Sequence, residues 1–315
     1  MGVELEIPEQ LGWVRRAPAG RAWLAALPQR LASCVDRWGL RLGPAYDGGM
    51  AALTLRTELP DGVPAVLKLQ YPDPESAHEA AALAAWAGEG AVRLLAHEPA
   101  WRALLVERCV PGTPLHHLPP REALGVAVDL LPRLWLPAGG PPPAGLPSPA
   151  GQSPAGAPPA GSGSFTPLAE EAAGWVERLP GNWERAGRPY ERRLLDAAVD
   201  LLTGLTPTQG GQVLVNQDLH AGNVLRATRE PWLLIDPKPL LGEREFGVVP
   251  LVRGAELGHS AAAVRYRLDR LTAELGLDRD RARGWTVGQT LAWSIVEGQV
   301  FPEQVEVVRW LLDGP

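Results

Sequence analysis

The chain has 315 residues, 45% apolar and 21% charged, with 30 basic and 36 acidic side chains and a formal net charge of −6. A mildly acidic chain has no general attraction for nucleic acid or for an anionic membrane surface, and the sequence contains no basic patch that would supply one locally. The length predicts about two domains of roughly 150 residues each. The 35 Gly and 33 Pro exceed the usual share, so they must be concentrated in one segment or mark turns.

The cysteines and the apolar pattern indicate a cellular location. Cys34 and Cys109 are too few for a disulfide framework, and two buried thiols are typical of a reducing compartment. The first residues, Met1–Glu6, carry acids where a secretory signal has a basic start and an apolar run. No apolar run approaches the roughly 18 residues of a membrane span. We therefore expect a soluble, cytoplasmic protein.

The first third of the chain predicts a helix followed by a small antiparallel sheet. Residues 19–38 have the apolar periodicity of a helix. Strands are predicted over 40–46, 50–59, 64–70, 91–97 and 101–108, with a helix over 74–88 between the third strand and the fourth. Residues 1–109 are therefore expected to form a first lobe, a five-stranded antiparallel sheet with one main helix, preceded by a helical segment.

Residues 110–315 predict a second, mostly helical lobe. Residues 137–164 contain 9 Pro, 7 Gly, 6 Ala and 4 Ser with no charged or aromatic side chain, a composition that predicts a flexible or polyproline-like insert. Helices are predicted over 120–135, 167–179, 188–204, 260–275, 279–297 and 302–313. An apolar, loop-rich stretch over 213–250 interrupts these helices, and we look for chemistry there.

A strand, a loop and a second strand over 213–225 carry residues typical of phosphoryl transfer. Asn223 follows Asp218 by five residues, and Asp236 ends an apolar run thirteen residues further on, which is the order found in kinases. A carboxylate at the tip of a loop can orient and deprotonate an acceptor hydroxyl, so Asp218 is the candidate catalytic base. The Asn223 carbonyl and the Asp236 carboxylate are hard oxygen donors suited to Mg²⁺.

The first lobe contains the other half of this arrangement. Kinases carry a Lys for the α and β phosphates on the third strand, paired with a Glu on the next helix. Lys68 lies among apolar residues on the third predicted strand, and Glu79 lies on the following helix. Each feature alone also fits an ordinary polar turn or a surface charge. Five of them in the kinase order favour a kinase.

Two further stretches are candidate contacts for the nucleotide. Gly48 and Gly49 form a turn between the first two strands, where backbone amides could approach the phosphates of ATP. The turn lacks the Gly-x-Gly-x-x-Gly spacing and fits a plain hairpin equally well. Backbone groups around Glu107 to Cys109, at the end of the fifth strand, are expected to read adenine.

The segments Asp218–Leu225 and Ile235–Pro239 resemble the aminoglycoside phosphotransferase superfamily, and Asp-Pro-Lys-Pro is similar to its streptomycin 6-phosphotransferase and hydroxyurea phosphotransferase branch. The similarity covers most of the chain outside residues 137–164. It implies a two-lobed protein-kinase-like fold of the α+β class, with ATP and Mg²⁺ as donor and a small hydroxylated molecule as acceptor. It supports the roles given above, and it implies that Leu225 forms part of the adenine floor.

Three positions around the loop depart from the pattern of this superfamily. Asn216 and Gln217 replace the usual His-Gly before the catalytic Asp, which changes the hydrogen bonds that brace the loop. Gln217 also adds a side chain where an unusual backbone conformation is expected. Gly247 follows Phe246 where the superfamily tends to have Asp. These changes bear on efficiency and substrate more than on fold.

The leading hypothesis is an ATP-dependent O-phosphotransferase acting on a small molecule, with a streptomycin-like aminocyclitol as first acceptor. The net charge of −6 is compatible with a cationic acceptor. Candidate lining residues, which also fit surface acids and core tryptophans, are Glu256, Asp278, Trp285, Trp293 and Glu297. The alternatives are a superfamily kinase for an amino sugar or a hydroxyurea-like metabolite, and a nucleotide-binding protein with weak or no transferase activity. The acceptor, its hydroxyl and the oligomeric state stay open at this point.

Overall fold

The computed structural model describes residues 9–47, 51–138, 165–296 and 298–314. These residues form two compact units, one ending at Gly112 and the other beginning at Thr113. The division into lobes after Cys109 stays a prediction. Gly48, Gly49, Glu297 and most of the predicted insert, residues 139–164, lie outside the described residues.

The first unit is built on a five-stranded antiparallel sheet with the strand order β1-β2-β3-β5-β4, which confirms the predicted sheet. Its strands are β1 (Arg41–Ala45), β2 (Ala52–Glu58), β3 (Pro64–Gln70), β4 (Leu94–Glu98) and β5 (Ala103–Glu107). Its helices are α1 (Pro18–Trp38), α2 (Glu79–Trp86) and the 3-10 helices Glu9–Arg16 and Pro99–Trp101.

The core of this unit lies between α1 and the sheet. Trp23, Leu27 and Leu31 are four residues apart, so they share one face of α1, and all three are buried. They belong to one apolar cluster with Leu53 of β2 and Leu67 of β3. This packing holds β3, the strand that carries Lys68, against the buried face of α1.

Helix α2 is shorter than the sequence predicts. The Asp73 side chain accepts hydrogen bonds from the amides of Glu75 and Ser76, at 3.3 and 3.2 Å. Because Asp side chains compete in this way with helical hydrogen bonds, residues 73–76 form a turn and the helix begins only at Glu79. The correction places Glu79 in the first helical turn, where the backbone amides favour a carboxylate.

The second unit is mostly helical. Its helices are α3 (Pro120–Leu134), α4 (Leu168–Arg185), α5 (Arg192–Leu205), α6 (Val249–Arg253), α7 (Ala261–Leu275), α8 (Arg279–Ala292) and α9 (Pro302–Leu312). Its 3-10 helices are Leu115–His117, Thr206–Thr208, Ala221–Asn223, Arg244–Val248 and Ala255–Leu257. Helix α8 is the central element, and it packs against α4, α5, α6, α7 and α9.

Three helix bounds in this unit differ from the sequence-based prediction. Helix α5 begins at Arg192 instead of residue 188, because Arg188 has a positive φ of +58° that interrupts helical geometry. Helix α4 continues through Pro180 to Arg185, because the buried Trp183 of its last turn donates a hydrogen bond to the Tyr190 carbonyl at 3.0 Å. Helix α8 stops at Ala292 instead of 297. The β-branched Ile295 and Val296 leave the helix and pair as a strand with residues 299–300.

Three two-stranded antiparallel ribbons complete the unit. They are formed by β6 (Val213–Asn216) with β9 (Pro239–Gly242), β7 (Val224–Arg226) with β8 (Trp232–Leu234), and β10 (Ile295–Val296) with β11 (Gln299–Val300). Pro137 bridges to Val213, and Pro167 bridges to Leu241. The two ends of the predicted insert are therefore attached to opposite edges of the β6–β9 ribbon.

Within the described ranges, no helix has both the length and the apolar character needed to cross a bilayer.

Candidate active site

The two ribbons β6–β9 and β7–β8 bring the three predicted catalytic residues together. Asp218 follows the end of β6, Asn223 precedes β7, and Asp236 lies in the link from β8 to β9. The Gln217 amide donates to the Lys238 carbonyl at 3.0 Å, and the Ile235 amide donates to the Asn223 carbonyl at 2.8 Å. The link, residues 235–238, is therefore hydrogen-bonded at its first residue to the residue before β7 and at its last residue to the residue after β6. Asp236 is thereby held beside the loop of residues 218–223, the catalytic loop.

Asn216 braces this loop in the place of the usual His. Its side-chain oxygen accepts hydrogen bonds from the Asp218 amide at 3.0 Å and from the Lys238 amide at 2.9 Å. The Asn223 side-chain nitrogen donates to the Asp218 carbonyl at 3.0 Å and closes the loop from its other end. The amide at position 216 therefore ties the catalytic loop to the link that carries Asp236.

The unusual backbone conformation lies at Asp236 and not at Gln217. Among the described residues other than Gly, a positive φ occurs at Ala87, Arg102, Arg188 and Asp236, where it is +52°. The expectation for Gln217 was wrong, because Gln217 has no positive φ although its side chain is buried. Gln289 of helix α8 donates to the Gln217 carbonyl at 3.3 Å. A left-handed conformation at a non-Gly residue is costly and concentrates at functional sites, which supports a role for Asp236.

Two cations flank the candidate base. Lys238 Nζ lies 3.2 Å from Asp218 Oδ2, and Arg253 Nη2 lies 3.7 Å from Asp218 Oδ1. Asp218 nevertheless keeps 19% of its side chain accessible, as a base that must reach an acceptor requires. Both cations lie over the Trp293 ring, at 5.5 Å for Lys238 and 4.6 Å for Arg253.

Sequence reasoning missed Lys238 and Arg253. Lys238 was available as part of the Asp-Pro-Lys-Pro sequence, and Arg253 ends the otherwise apolar, buried helix α6. Trp293 was predicted to line the acceptor site. The structure shows it in contact with the cations that flank Asp218, and its contact with an acceptor stays a prediction.

Glu256 contacts the catalytic loop with both of its oxygens. Oε1 lies 2.9 Å from His220 Nδ1, and Oε2 accepts a hydrogen bond from the Gly222 amide at 3.0 Å. A Cβ at Gly222 would lie 2.7 Å from Glu256 Oε1, so this approach requires Gly. Glu256 thus braces the loop, and its predicted contact with an acceptor stays a prediction.

The pKa values of this pair agree with an ionic hydrogen bond. Burial alone lowers the pKa of His220, but the hydrogen bond to Glu256 and the charge of Asp218 outweigh burial, and the pKa is raised. Burial alone raises the pKa of Glu256, but the hydrogen bond and charge of His220 outweigh it, and the pKa is lowered. Both shifts favour the charged forms.

Two other acceptor-lining candidates have structural roles. Asp278 caps helix α8, accepting hydrogen bonds from the Asp280 and Arg281 amides at 2.9 and 3.0 Å. Trp285 is fully buried, packs edge-on against Phe246, and donates a short hydrogen bond to Glu243. Trp285 has no exposed surface with which to line an acceptor site, whereas Asp278 is exposed and its contact with an acceptor stays a prediction.

In the first unit, Lys68 and Glu79 form the predicted ion pair. Lys68 Nζ lies 2.6 Å from Glu79 Oε1, and both side chains are buried. Gln70 donates to the other oxygen of Glu79 at 2.7 Å, so the carboxylate is held from two sides. The alternative that Lys68 points to solvent is excluded. Because buried charges are costly unless paired, Glu79 accounts for the burial of Lys68, and the contact of Lys68 with phosphates stays a prediction.

The remaining described nucleotide candidates lie at or just after the end of β5 and within β7. The Glu107 amide donates to the Arg93 carbonyl at 2.9 Å, and Glu107 Oε2 accepts from the Arg93 amide at 3.1 Å. Cys109 is buried. Leu225, in the second unit, is half-buried and bridges to Pro114. Their contacts with adenine stay predictions.

The donor set around Asp236 fits Mg²⁺. Because the Asn223 nitrogen is held by the Asp218 carbonyl, the oxygen of the same amide is oriented away from that bond. Asn223 and Asp236 offer one amide oxygen and one carboxylate, and Mg²⁺ characteristically takes one or two carboxylates together with substrate phosphates and water. No group of three or more His, Cys, Asp or Glu side chains able to hold a metal occurs within the described part of the chain. A site with few protein ligands suits Mg²⁺ and not Zn²⁺.

Comparison with known proteins identifies the family. The family model described as aminoglycoside/hydroxyurea antibiotic resistance kinase matches residues 37–151 and 156–299. The chain is 40% identical over 329 residues to a hydroxyurea phosphotransferase of Kitasatospora aureofaciens, covering 100% of this chain and 88% of that protein. It is 36% identical over 304 residues to a streptomycin 6-kinase of Streptomyces griseus, covering 93% of this chain and 91% of that protein.

Solved structures show the same fold at low sequence identity. A choline kinase of Streptococcus pneumoniae matches with a TM-score of 0.58 and 10% identity, covering 90% of this chain and 95% of that chain. A thermostable mutant of an aminoglycoside phosphotransferase, in complex with AMP-PNP and hygromycin B, matches with a TM-score of 0.56 and 14% identity. It covers 90% of this chain and 96% of that chain. The predicted α+β, protein-kinase-like fold is confirmed, and the chain belongs to the family of aminoglycoside/hydroxyurea antibiotic resistance kinases.

Proposed function

We propose that this phosphotransferase transfers the γ-phosphoryl group of ATP to a hydroxyl of a small molecule, with streptomycin and hydroxyurea as the first acceptors to test. The observation that carries the proposal is the catalytic loop. A partly accessible carboxylate, Asp218, lies between two cations on a loop that Asn223 closes by a hydrogen bond and that Asn216 ties to the link carrying Asp236.

Asp218 acts as the base. Its carboxylate accepts the proton of the acceptor hydroxyl as the oxygen attacks the phosphoryl group. Lys238 and Arg253 hold the carboxylate in one orientation, with Trp293 as a rigid surface behind them. Their positive charges lie beside the Asp218 carboxylate, from where they would also stabilise the negative charge of the phosphoryl group during transfer.

Asn223 and Asp236 are the residues that would hold Mg²⁺. When bound, this ion neutralises charge on the phosphate oxygens of the donor. Lys68, fixed by Glu79, binds the α and β phosphates, as in kinases generally. The Gly48-Gly49 turn, the backbone at Glu107 to Cys109, and Leu225 are the proposed contacts for the rest of the nucleotide.

Hydroxyurea is the second candidate acceptor, and two observations favour it. The hydroxyurea phosphotransferase relative is 40% identical to this chain and spans all of it. In addition, Arg253 and Lys238 already lie over the Trp293 ring and beside Asp218. A cationic acceptor such as streptomycin would have to place its charge away from these two cations, whereas a small neutral molecule with an N-hydroxyl group would not.

The function is tested by measuring transfer of labelled phosphate from Mg·ATP to streptomycin, hydroxyurea and a panel of amino sugars. We expect turnover with at least one acceptor. The variant Asp218→Asn should lower kcat by about 10²-fold or more, the contribution typical of a general base, while nucleotide affinity is retained. Asp196→Asn is the matched control, because Asp196 lies on the exposed face of α5 and its ion pair is local, with Arg192 one turn away.

Two results would contradict the proposal. Binding of Mg·ATP without turnover of any acceptor would favour the alternative of a nucleotide-binding protein. Full activity of Asp218→Asn would show that another group is the base.

A further inference from the structure

Arg267 of helix α7 is a buried arginine whose hydrogen bonds end on backbone carbonyls. It is 1% exposed. Its Nε and Nη2 donate to the Val252 carbonyl at 3.1 and 2.8 Å, and its Nη1 donates to the carbonyls of Leu257 and Gly258 at 3.1 and 2.7 Å. Within the described residues no carboxylate forms an ion pair with it, and burial lowers its pKa to about 10.

Fold stability does not account for this arginine. Removal of a charged side chain from water is costly, and well-packed apolar side chains often replace buried charges without loss of stability. What Arg267 provides, and an apolar side chain would not, is four hydrogen bonds directed at three carbonyls of one short segment. We call this segment, residues 252–258, the bracing turn.

The bracing turn has few internal hydrogen bonds. It runs from the end of α6 through the 3-10 helix Ala255–Leu257 to Gly258, whose φ of +103° leaves regular structure. Val252 and Leu257 are buried. Without Arg267 their carbonyls would lose their hydrogen-bond partner inside the protein, which is unfavourable, so the turn would shift to recover one.

The same turn carries two contacts to the catalytic loop. Arg253 lies 3.7 Å from the Asp218 carboxylate. Glu256 accepts from the Gly222 amide at 3.0 Å and lies 2.9 Å from His220 Nδ1. A shift of the bracing turn would therefore change the orientation of Asp218 and the position of the catalytic loop.

We propose that Arg267 is a positioning residue for phosphoryl transfer: it holds the bracing turn in place, and Glu256 and Arg253 transmit that position to the catalytic loop. The inference rests on the proposed function insofar as it takes the loop of Asp218 to be catalytic. Arg267 itself does not touch the loop, and its effect passes through the turn.

The test compares Arg267→Met, Arg267→Lys and Glu256→Gln with two matched controls. Arg265→Met removes a neighbouring arginine of α7 that also donates two hydrogen bonds to a carbonyl, that of Trp310, but not in the bracing turn. Glu306→Gln removes the carboxylate of another Glu–His pair, with His259, which does not contact the loop. Each variant is first checked for folding by its thermal transition.

Two readouts are measured on each folded variant. The first is hydrogen exchange of the amides of residues 219–224, which needs no acceptor. The second is kcat and KM with the acceptor found for the wild type. We expect Arg267→Met and Glu256→Gln to exchange the loop amides faster and to lower kcat by about 10-fold or more, with KM for ATP nearly unchanged. Arg267→Lys should be intermediate, since three donors replace four hydrogen bonds in a different geometry.

The outcomes separate this inference from the proposed function. Failure of the wild type on every acceptor would contradict the function, while the exchange readout would still decide whether Arg267 positions the loop. Unchanged loop exchange in folded Arg267→Met would overturn the inference, as would equal effects in the two controls. If Arg267→Met does not fold, wild-type loop exchange in Arg267→Lys and Glu256→Gln overturns it.

Discussion

Gly247 lies so close to the ring of Trp135 that there is no room for a side chain at this position. A Cβ built at this position would lie 2.6 Å from Trp135 Nε1 and 3.1 Å from Trp135 Cε2. The ring of Trp135 is itself held by Arg244, whose guanidinium lies 6.0 Å from the ring centroid. The absence of the Asp that the superfamily tends to have here is therefore coupled to the presence of Trp135, and it does not require a change in the chemistry of the catalytic loop.

Substitution of Gly247 should be costly only while Trp135 is present. We expect Gly247→Ala to lower the free energy of unfolding by about 1–3 kcal/mol, the usual effect of overpacking. In the background of Trp135→Leu the same substitution should cost clearly less. Urea denaturation of the two single variants and the double variant measures this coupling, and strictly additive effects would show that the ring is not the obstacle.

Helices α5 and α9 are joined at their surface by a two-pronged ion pair. Glu191, at the N-terminus of α5, accepts hydrogen bonds from Arg309 Nε at 3.0 Å and from Arg309 Nη2 at 2.7 Å. The hydrogen bond to Arg309, and next the backbone hydrogen bond of Glu191, lower the pKa of Glu191 from 4.5 to about 2. A carboxyl whose pKa is lowered in the folded state stabilises the fold at pH values above its unfolded pKa, and this stabilisation is lost as the pH falls.

The variant Glu191→Gln tests this linkage between helices. Because the pair is largely exposed to solvent, we expect a loss of no more than about 1 kcal/mol at pH 7. The difference from the wild type should shrink as the pH falls from 4.5 toward 2, measured by urea denaturation along a pH series. In the background of Arg309→Gln the pH-dependent difference should be clearly smaller, because only the backbone hydrogen bond and the charge of Arg193 still lower the pKa of Glu191. A pH-dependent difference that is undiminished in that background would assign the effect to partners of Glu191 other than Arg309.

At the scale of the whole molecule, the two ends of the predicted insert are held apart by the β6–β9 ribbon. Pro137 bridges to β6 and Pro167 bridges to β9, on opposite edges of the ribbon. From Pro137 across β6 and β9 to Pro167 there are three strand spacings, or about 14 Å. A connection that replaces residues 139–164 must cross this distance.

The length of a replacement segment should therefore decide stability. We expect a Gly/Ser linker of eight residues in place of residues 139–164 to leave the thermal transition and nucleotide affinity unchanged. Joining residue 138 directly to residue 165 leaves two Cα–Cα steps, at most about 7 Å, between residues 138 and 166, whose backbones are hydrogen-bonded to Gln212 and Leu241. This direct join should therefore detach one of the two residues from the ribbon and lower the melting temperature. A large loss of stability with the eight-residue linker would show that residues 139–164 contribute to folding.

Local patterns in the sequence predicted the parts of the molecule that depend on local forces. The bounds of β3, Pro64–Gln70, agree with the prediction because an apolar run between turn signals determines a strand. The order of Lys68, Glu79, Asp218, Asn223 and Asp236 indicated a kinase for the same reason. The start of α2 and the end of α8 were missed, because the Asp73 turn and the 295–300 ribbon compete with an otherwise helical pattern.

The sequence by itself determined the class of protein and the residues that we propose for the chemistry, since these depend on residue type and spacing along the chain. The tertiary structure decided what surrounds them. The cation Arg253, the brace Glu256 and its anchor Arg267 reach their partners across 35, 34 and 15 positions of sequence. Such contacts arise when helices α6 and α7 pack beside the catalytic loop. The periodicity of apolar residues predicts which face of a helix is buried, but it does not predict which distant side chain that face will contact.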